Sequence, residues 1–545
     1  MTSSPSALSS PLATDPYGIH VTARLLDFFA DTSPWPRRLW EVSSVLALRE
    51  AYEAGKWQAQ QVLGSTSVTW YLRALERQLG PDRGLGDGKL RKHLIGLLRS
   101  NLAPESPERR QLHQLLPMLV NGYLDRWRDR VAQGAPPSPE RIARAVATHL
   151  LDLGHSTGQL HRWARELADR PGATLDDLLD SACDLARRPD VGYEVIVPFT
   201  SVPKYQTLAA HLPQWRPAKG TAEWFASNGV ANPPRQYGAF VFDVVAKDPA
   251  AAARVAGSLV QKLQARATYA RGSLGDRLAP VGQVWVKGHP DPLPLTPPAR
   301  GVDVLSLVRE KTLYSLPSPG SIDDALEMAA PLNSGAPAPA VSGGWSAIES
   351  LLSRAADTGD GRPGRVVAAD RLAAIVACSW PRAELTPLSW RHSPAAPDRL
   401  GADLERLRIK TPEQNLNRCR VLAKALSSGS GMATSNPSDA AAAERMVRLL
   451  SHPYGELGDV RNVFQGTLRR LYRQRNIVVH GGTTASVAIE ATLRTAGPLV
   501  GVGLDRIVHA NLQHKIGPLE LAARAVNSLE LVGDDLGPEV VSLLE

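Results

Sequence analysis

Cysteine is nearly absent from this chain, with three among 545 residues, at Cys183, Cys378 and Cys419. Their wide separation leaves no CxxC or Cys/His ligand spacing, which excludes a zinc module and a disulfide-framed fold and suits a reducing cytoplasm. Long apolar runs are missing as well, and no stretch of about 18 apolar residues is available to cross a bilayer, so no membrane association is expected. The opening MTSSPSALSSPLATDPYG has neither a basic n-region nor an apolar core. Residues 1–20 therefore read as a disordered leader rather than a signal peptide. Aromatics make up only 6% of the chain, and this scarcity, beside plentiful Ala, Leu and Arg, favours helix over strand. Charge of one sign does not dominate: 62 Lys and Arg against 54 Asp and Glu give +8, a surplus that permits a polyanionic partner without requiring one.

A chain of this length exceeds what one hydrophobic core organises, so about two to four domains are expected. Residues 21–188 read as a helical domain, with apolar residues at three- and four-residue spacing from Leu39 to Trp57, Val68 to Leu79 and Gln111 to Val131. The period then changes. Tyr193–Phe199, Gly238–Ala246 and Val281–Val286 are β-branched, aromatic-containing runs of strand length. Between the last two, Asp248 and Pro249 mark the start of an Ala-rich helix reaching about Tyr269. Residues 189–330 thus read as a small α+β domain, a sheet with a crossover helix of ferredoxin-like type. The Pro/Ala/Gly composition of 331–344 suggests a semi-rigid linker, and 345–545 a carboxy-terminal helical domain with a Ser/Gly-rich insertion at Ser427–Ser438. The expected fold class is mainly α with a small α+β middle domain.

The most informative segment is a helix expected from Asp459 to His480. Val460, Phe464, Leu468 and Tyr472 form one ridge at four-residue steps, and the next two steps are Asn476 and His480. The adjoining ridge carries Val463, Leu471 and Val479, and its member at the 475 position is an arginine. A buried arginine is costly unless it meets an anion or an open cleft. No Asp or Glu occurs from Val460 to Ile489, whereas Arg461, Arg469, Arg470, Arg473 and Arg475 crowd its first half. A phosphate backbone would answer that imbalance, with Arg469, Arg470, Arg473 and Tyr472 as candidate RNA contacts. Gly481-Gly482 should end the helix and leave His480 at its negative pole. A histidine titrating near neutrality can move the proton of a ribose 2′-hydroxyl, and an arginine can stabilise a pentacoordinate phosphorane, without metal or cofactor. Five residues turn a helix about 140° beyond a full revolution, so Arg475 reaches His480 only through its long arm or from a second subunit.

The Arg475-x4-His480 spacing, with Asn476 directly after the arginine and glycines after the histidine, resembles the R-x(4–6)-H signature of HEPN ribonucleases, in the RNxxxHG form of the Apea-like subgroup. Trp345-Ser346-Ala347-Ile348-Glu349-Ser350-Leu351-Leu352 is similar to the opening helix of such domains, with Glu349 on its apolar side. The resemblance covers roughly 200 residues. It implies a helical bundle that dimerises about a two-fold axis and a metal-independent endonuclease leaving 2′,3′-cyclic phosphate and 5′-hydroxyl ends. Arg475, Asn476 and His480 would be catalytic, and Glu349 either catalytic or a buried partner of Arg475. It further implies a toxic effector of prokaryotic antiviral defence, with RNA (tRNA among the candidates) as target and a phage-derived or partner-protein trigger.

Other segments weigh less. His509 and His514 stand near each other, but no Cys or acidic partners at ligand spacing support a metal. Gly84–Lys89 has the composition of a phosphate loop but lacks the following Ser or Thr and a preceding strand, so it reads as a turn. Leu153–Trp163 is similar to the turn and second helix of a helix-turn-helix, with Ile142–Leu151 as first helix. It supports the alternative of a non-catalytic nucleic-acid-binding regulator that dimerises through its carboxy-terminal bundle.

Overall fold

Local capping signals place the helices. Asp15 accepts from the Gly18 amide to open helix Pro16–Phe29, Ser43 from Leu46 to open Ser44–Ala59, and Asp87 from Leu90 to open Gly88–Arg99. The computed structural model describes residues 11–133, 136–203, 212–271, 277–315, 321–357, 364–409, 411 and 413–545. Among them the chain is mainly helical with one small antiparallel sheet, as its composition predicts. Two compact units emerge: one gathers Met1–His149, Ala164–Cys183 and Arg300–Glu545, the other Leu150–Trp163 and Asp184–Ala299.

The first unit corrects the expected division into an amino-terminal and a carboxy-terminal helical domain. Trp40 is buried edge-on against Phe464 at 4.8 Å and Trp380 at 5.9 Å, inside the core built by the carboxy-terminal helices. Buried ion pairs cross the same boundary: Arg37 Nε donates to Glu384 at 2.8 Å and Arg37 Nη1 lies 2.8 Å from Asp439, while Arg445, from the carboxy-terminal side, donates to the other oxygen of Glu384 at 2.8 Å. Burial alone would raise the Glu384 carboxyl, but the two guanidiniums outweigh it and hold it below its usual range. Aromatic and charged partners so far apart in sequence carry no periodicity, which is why they were not visible there.

Two boundaries also change. Helix Pro16–Phe29 begins inside the expected leader, of which residues 1–10 lie outside the described residues. The expected linker 331–344 is helical hairpin: Ser321–Ser334 leads into Pro337–Leu352, with Pro337 in the first turn, where a missing amide costs nothing. Its glycines serve close packing instead of flexibility. A Cβ on Gly343 would stand 2.2 Å from the Met328 carbonyl oxygen, and one on Gly344 2.8 Å from Leu332.

In the second unit the strands are β1 (Val191–Ser201), β2 (Trp215–Pro217), β3 (Gly238–Ala246), β4 (Ala279–Pro280), β5 (Gln283–Val286) and β6 (His289–Pro294). Their order is β2-β3-β1-β5-β6, with β4 also paired to β1 and every pairing antiparallel. Side chains alternate across β1. Val195, Val197 and Phe199 pack with Ala252, Ala256 and Val260 of helix Pro249–Arg271, whereas Ile196 packs with Phe225 of helix Ala218–Ser227. Both faces are therefore covered, unlike the one-faced layer of the expected ferredoxin-like unit.

Candidate active site

The site helix runs from Pro453 to Gly481, and Gly482 ends it in the left-handed conformation (φ 65°) that glycine adopts without a steric penalty. Phe464, Leu468 and Leu471 are fully buried, so the apolar ridges anchor the helix in the core as their spacing predicts. The last turn departs from that pattern. Asn476 is buried, Arg475 half-buried, and Val479 and His480 exposed.

The arm of Arg475 closes the angular gap to His480. Its Nη1 lies 3.1 Å from Asn476 Oδ1 and 3.1 Å from His480 Nε2. A guanidinium carries donors only, so in this geometry Nε2 accepts and the imidazole proton resides on Nδ1. Asn476 thus fixes the arginine, and the arginine fixes the tautomer. The result is an exposed imidazole beside an always-charged cation.

The arginines upstream, expected as RNA contacts, are engaged by carboxylates. Arg470 Nε and Arg473 Nη2 donate to the two oxygens of buried Glu50 at 2.9 and 2.7 Å. Burial would raise that carboxyl, but Arg473 and Arg470 hold it below the usual range. Arg473 also lies over the Tyr71 ring at 4.0 Å. Arg469 makes a two-pronged pair with Asp370, at 2.7 and 2.5 Å, and covers the Trp70 ring at 3.8 Å. The acid-free stretch of sequence is thus neutralised by carboxylates distant in the chain, a pairing no local pattern could reveal.

Glu349 is not the partner of Arg475. It accepts from the Trp345 indole at 2.5 Å and from Arg365. Trp345 in turn packs on Tyr472, ring centroids 4.7 Å apart, so Tyr472 is chiefly a packed aromatic between the opening helix and the site turn. Glu349 is linked to Tyr472 through Trp345.

Sequence reasoning missed helix Ser44–Ala59 as a wall of the site. Glu50, Glu53, Ala54 and Trp57 fall at helical spacing on one stripe. Glu53 accepts from Ser486 Oγ at 3.1 Å and from the Val487 amide at 3.2 Å, fastening the segment after the glycines. Ala54 and Trp57 share an apolar cluster with Ile477, and a Cβ on Gly481 would stand 3.1 Å from the Trp57 ring. The acidic residues at 50 and 53 within an otherwise apolar-periodic helix were the available signal.

The remaining motifs resolve as scaffold. Asp82 accepts from the Gly84 amide, Ser44 Oγ and the Tyr123 hydroxyl, which packs the start of Gly84–Lys89 into a corner, while Gly88 and Lys89 open the next helix. In the helix-turn-helix-like segment, the second unit buries His155 and Ser156: the His155 ring bonds the Leu185 carbonyl at 3.0 Å, and the Ser156 amide donates to Asp248 at 2.8 Å. Asp248 also caps the following helix through the Ala251 amide. His509 faces Glu310 at 2.5 Å. Among the described residues no group of three or more His, Cys, Asp or Glu is placed to hold a metal ion, and no helix is long and apolar enough to cross a membrane. A cavity of about 830 Å³, lined in part by Arg38, Arg382 and Arg506, contains none of the residues of the site turn. No protein-family model, no curated protein and no solved structure matches this chain.

Proposed function

We propose that the protein is a metal-independent RNA endonuclease of HEPN type, with the turn Arg475–His480 as its active site. The observation that carries this reading is the single guanidinium bonded at once to Asn476 and to the exposed imidazole of His480. His480 Nε2 takes the proton of a ribose 2′-hydroxyl, whose oxygen attacks the adjacent phosphorus. The bond from phosphorus to the 5′-oxygen breaks, and that oxygen receives a proton from an imidazolium. Arg475 turns from Nε2 to a non-bridging oxygen and stabilises the phosphorane charge, an effect of about 10²–10³ in rate for one such donor. Asn476 holds the arginine in register. A second copy of the turn across a two-fold axis would provide the second imidazole, and the exposed Val479 beside His480 leaves the turn open to such a copy.

The resemblance behind this reading also suggests a toxic effector in antiviral defence, released by an infection signal. Purified wild type and His480→Ala, incubated with total RNA and tRNA in EDTA, test the chemistry. Fragments with 2′,3′-cyclic phosphate and 5′-hydroxyl ends from wild type alone are expected. Intact RNA from both, with and without lysate of phage-infected cells, would refute it.

A further inference from the structure

Helix Ser44–Ala59 brings one more charged group to the site than its stripe requires. Lys56 precedes Trp57 and is exposed, its ammonium 4.6 Å from the centroid of the Trp57 ring. That ring is the one in van der Waals reach of Gly481, the residue next to His480. Among the described residues no carboxylate pairs with Lys56, in contrast to the engaged Arg469, Arg470 and Arg473. The cation lies on a rigid element: Glu50 and Glu53 anchor its helix to the site helix and to the segment beyond it. Its ammonium already lies over an aromatic face, which restrains the side chain and reduces the entropy lost when it engages an anion.

We infer that Lys56 is an RNA-binding residue that contacts a backbone phosphate flanking the scissile one, so that the amino-terminal helices supply part of the substrate surface of the Arg475–His480 site. This inference rests on the nuclease reading and deepens it by naming a residue that holds the RNA through its backbone. With the upstream arginines neutralised by Glu50 and Asp370, Lys56 and Arg475 are two cations near the turn that no carboxylate engages among the described residues.

The test uses the full chain carrying His480→Ala, so that bound RNA stays intact, and a single-stranded RNA probe titrated over a series of salt concentrations. Adding Lys56→Ala should weaken binding severalfold at low salt and reduce the salt slope by about 0.7, the loss of one phosphate contact on a single strand. Lys56→Arg should restore both, and the thermal midpoint should not move. Unchanged affinity and slope in Lys56→Ala, or an Arg variant that behaves like Ala, would overturn the inference. Its failure is distinguishable from failure of the nuclease reading. If wild type cuts RNA while Lys56→Ala leaves binding unaltered, only Lys56 is wrong; if wild type neither cuts nor binds RNA, both fall.

Discussion

Two stretches of one helix carry similar residues to opposite ends. Arg469, Arg470 and Arg473 are drawn inward, each against a carboxylate and two of them against an aromatic ring as well. Arg475, two residues on, meets no carboxylate among the described residues; it meets an amide oxygen and an imidazole. The difference teaches that arginine density does not identify a nucleic-acid surface. What separates the two sets of arginines is whether an acid from elsewhere in the fold has already answered the charge.

The largest expected effect falls on the inward group. Glu50→Ala leaves two guanidiniums buried without their acid and should cost about 3–5 kcal/mol, measured by urea unfolding. A cost near zero would break the contrast. The same pair sets a pH dependence. Because the folded carboxyl of Glu50 titrates below its unfolded value, its stabilisation is complete above about pH 4.3 and is lost as pH falls through the lower folded value. Glu50→Gln should flatten the acid limb of a stability–pH curve at this group. Arg469→Ala, at a partly exposed pair, should cost about 1 kcal/mol by the same unfolding measurement, less than the buried Glu50 variant. His480→Ala should change stability by less than about 0.5 kcal/mol, since the ring is exposed and anchors nothing in the core. A thermal melt that moves substantially would make His480 a packing residue.

Much of the fold was legible in the sequence because it is locally encoded. The ridge Val460, Phe464, Leu468 follows from a helical period, the helix stop from Gly481-Gly482, and the start of helix Pro249–Arg271 from Asp248 and Pro249. The site turn was legible for the same reason, since Arg475, Asn476 and His480 lie within six residues. What escaped was long-range: Glu50 against Arg470 and Arg473, Trp40 against Phe464, Trp57 against Gly481. Composition misled at 331–344, where proline and glycine mark a tight helical hairpin and not a linker. Of the two roles open to Glu349, the pairing with Arg475 gives way to Trp345 and Arg365.

The most direct measurement compares RNA cleavage and unfolding free energy side by side for Arg475→Ala and Arg473→Ala. Cleavage lost at least about 100-fold in Arg475→Ala with unfolding changed by less than about 0.5 kcal/mol, and the stability loss confined to Arg473→Ala, is the predicted result. Arg475→Ala that cuts RNA at the wild-type rate, or loses activity only in proportion to lost fold, would contradict the account.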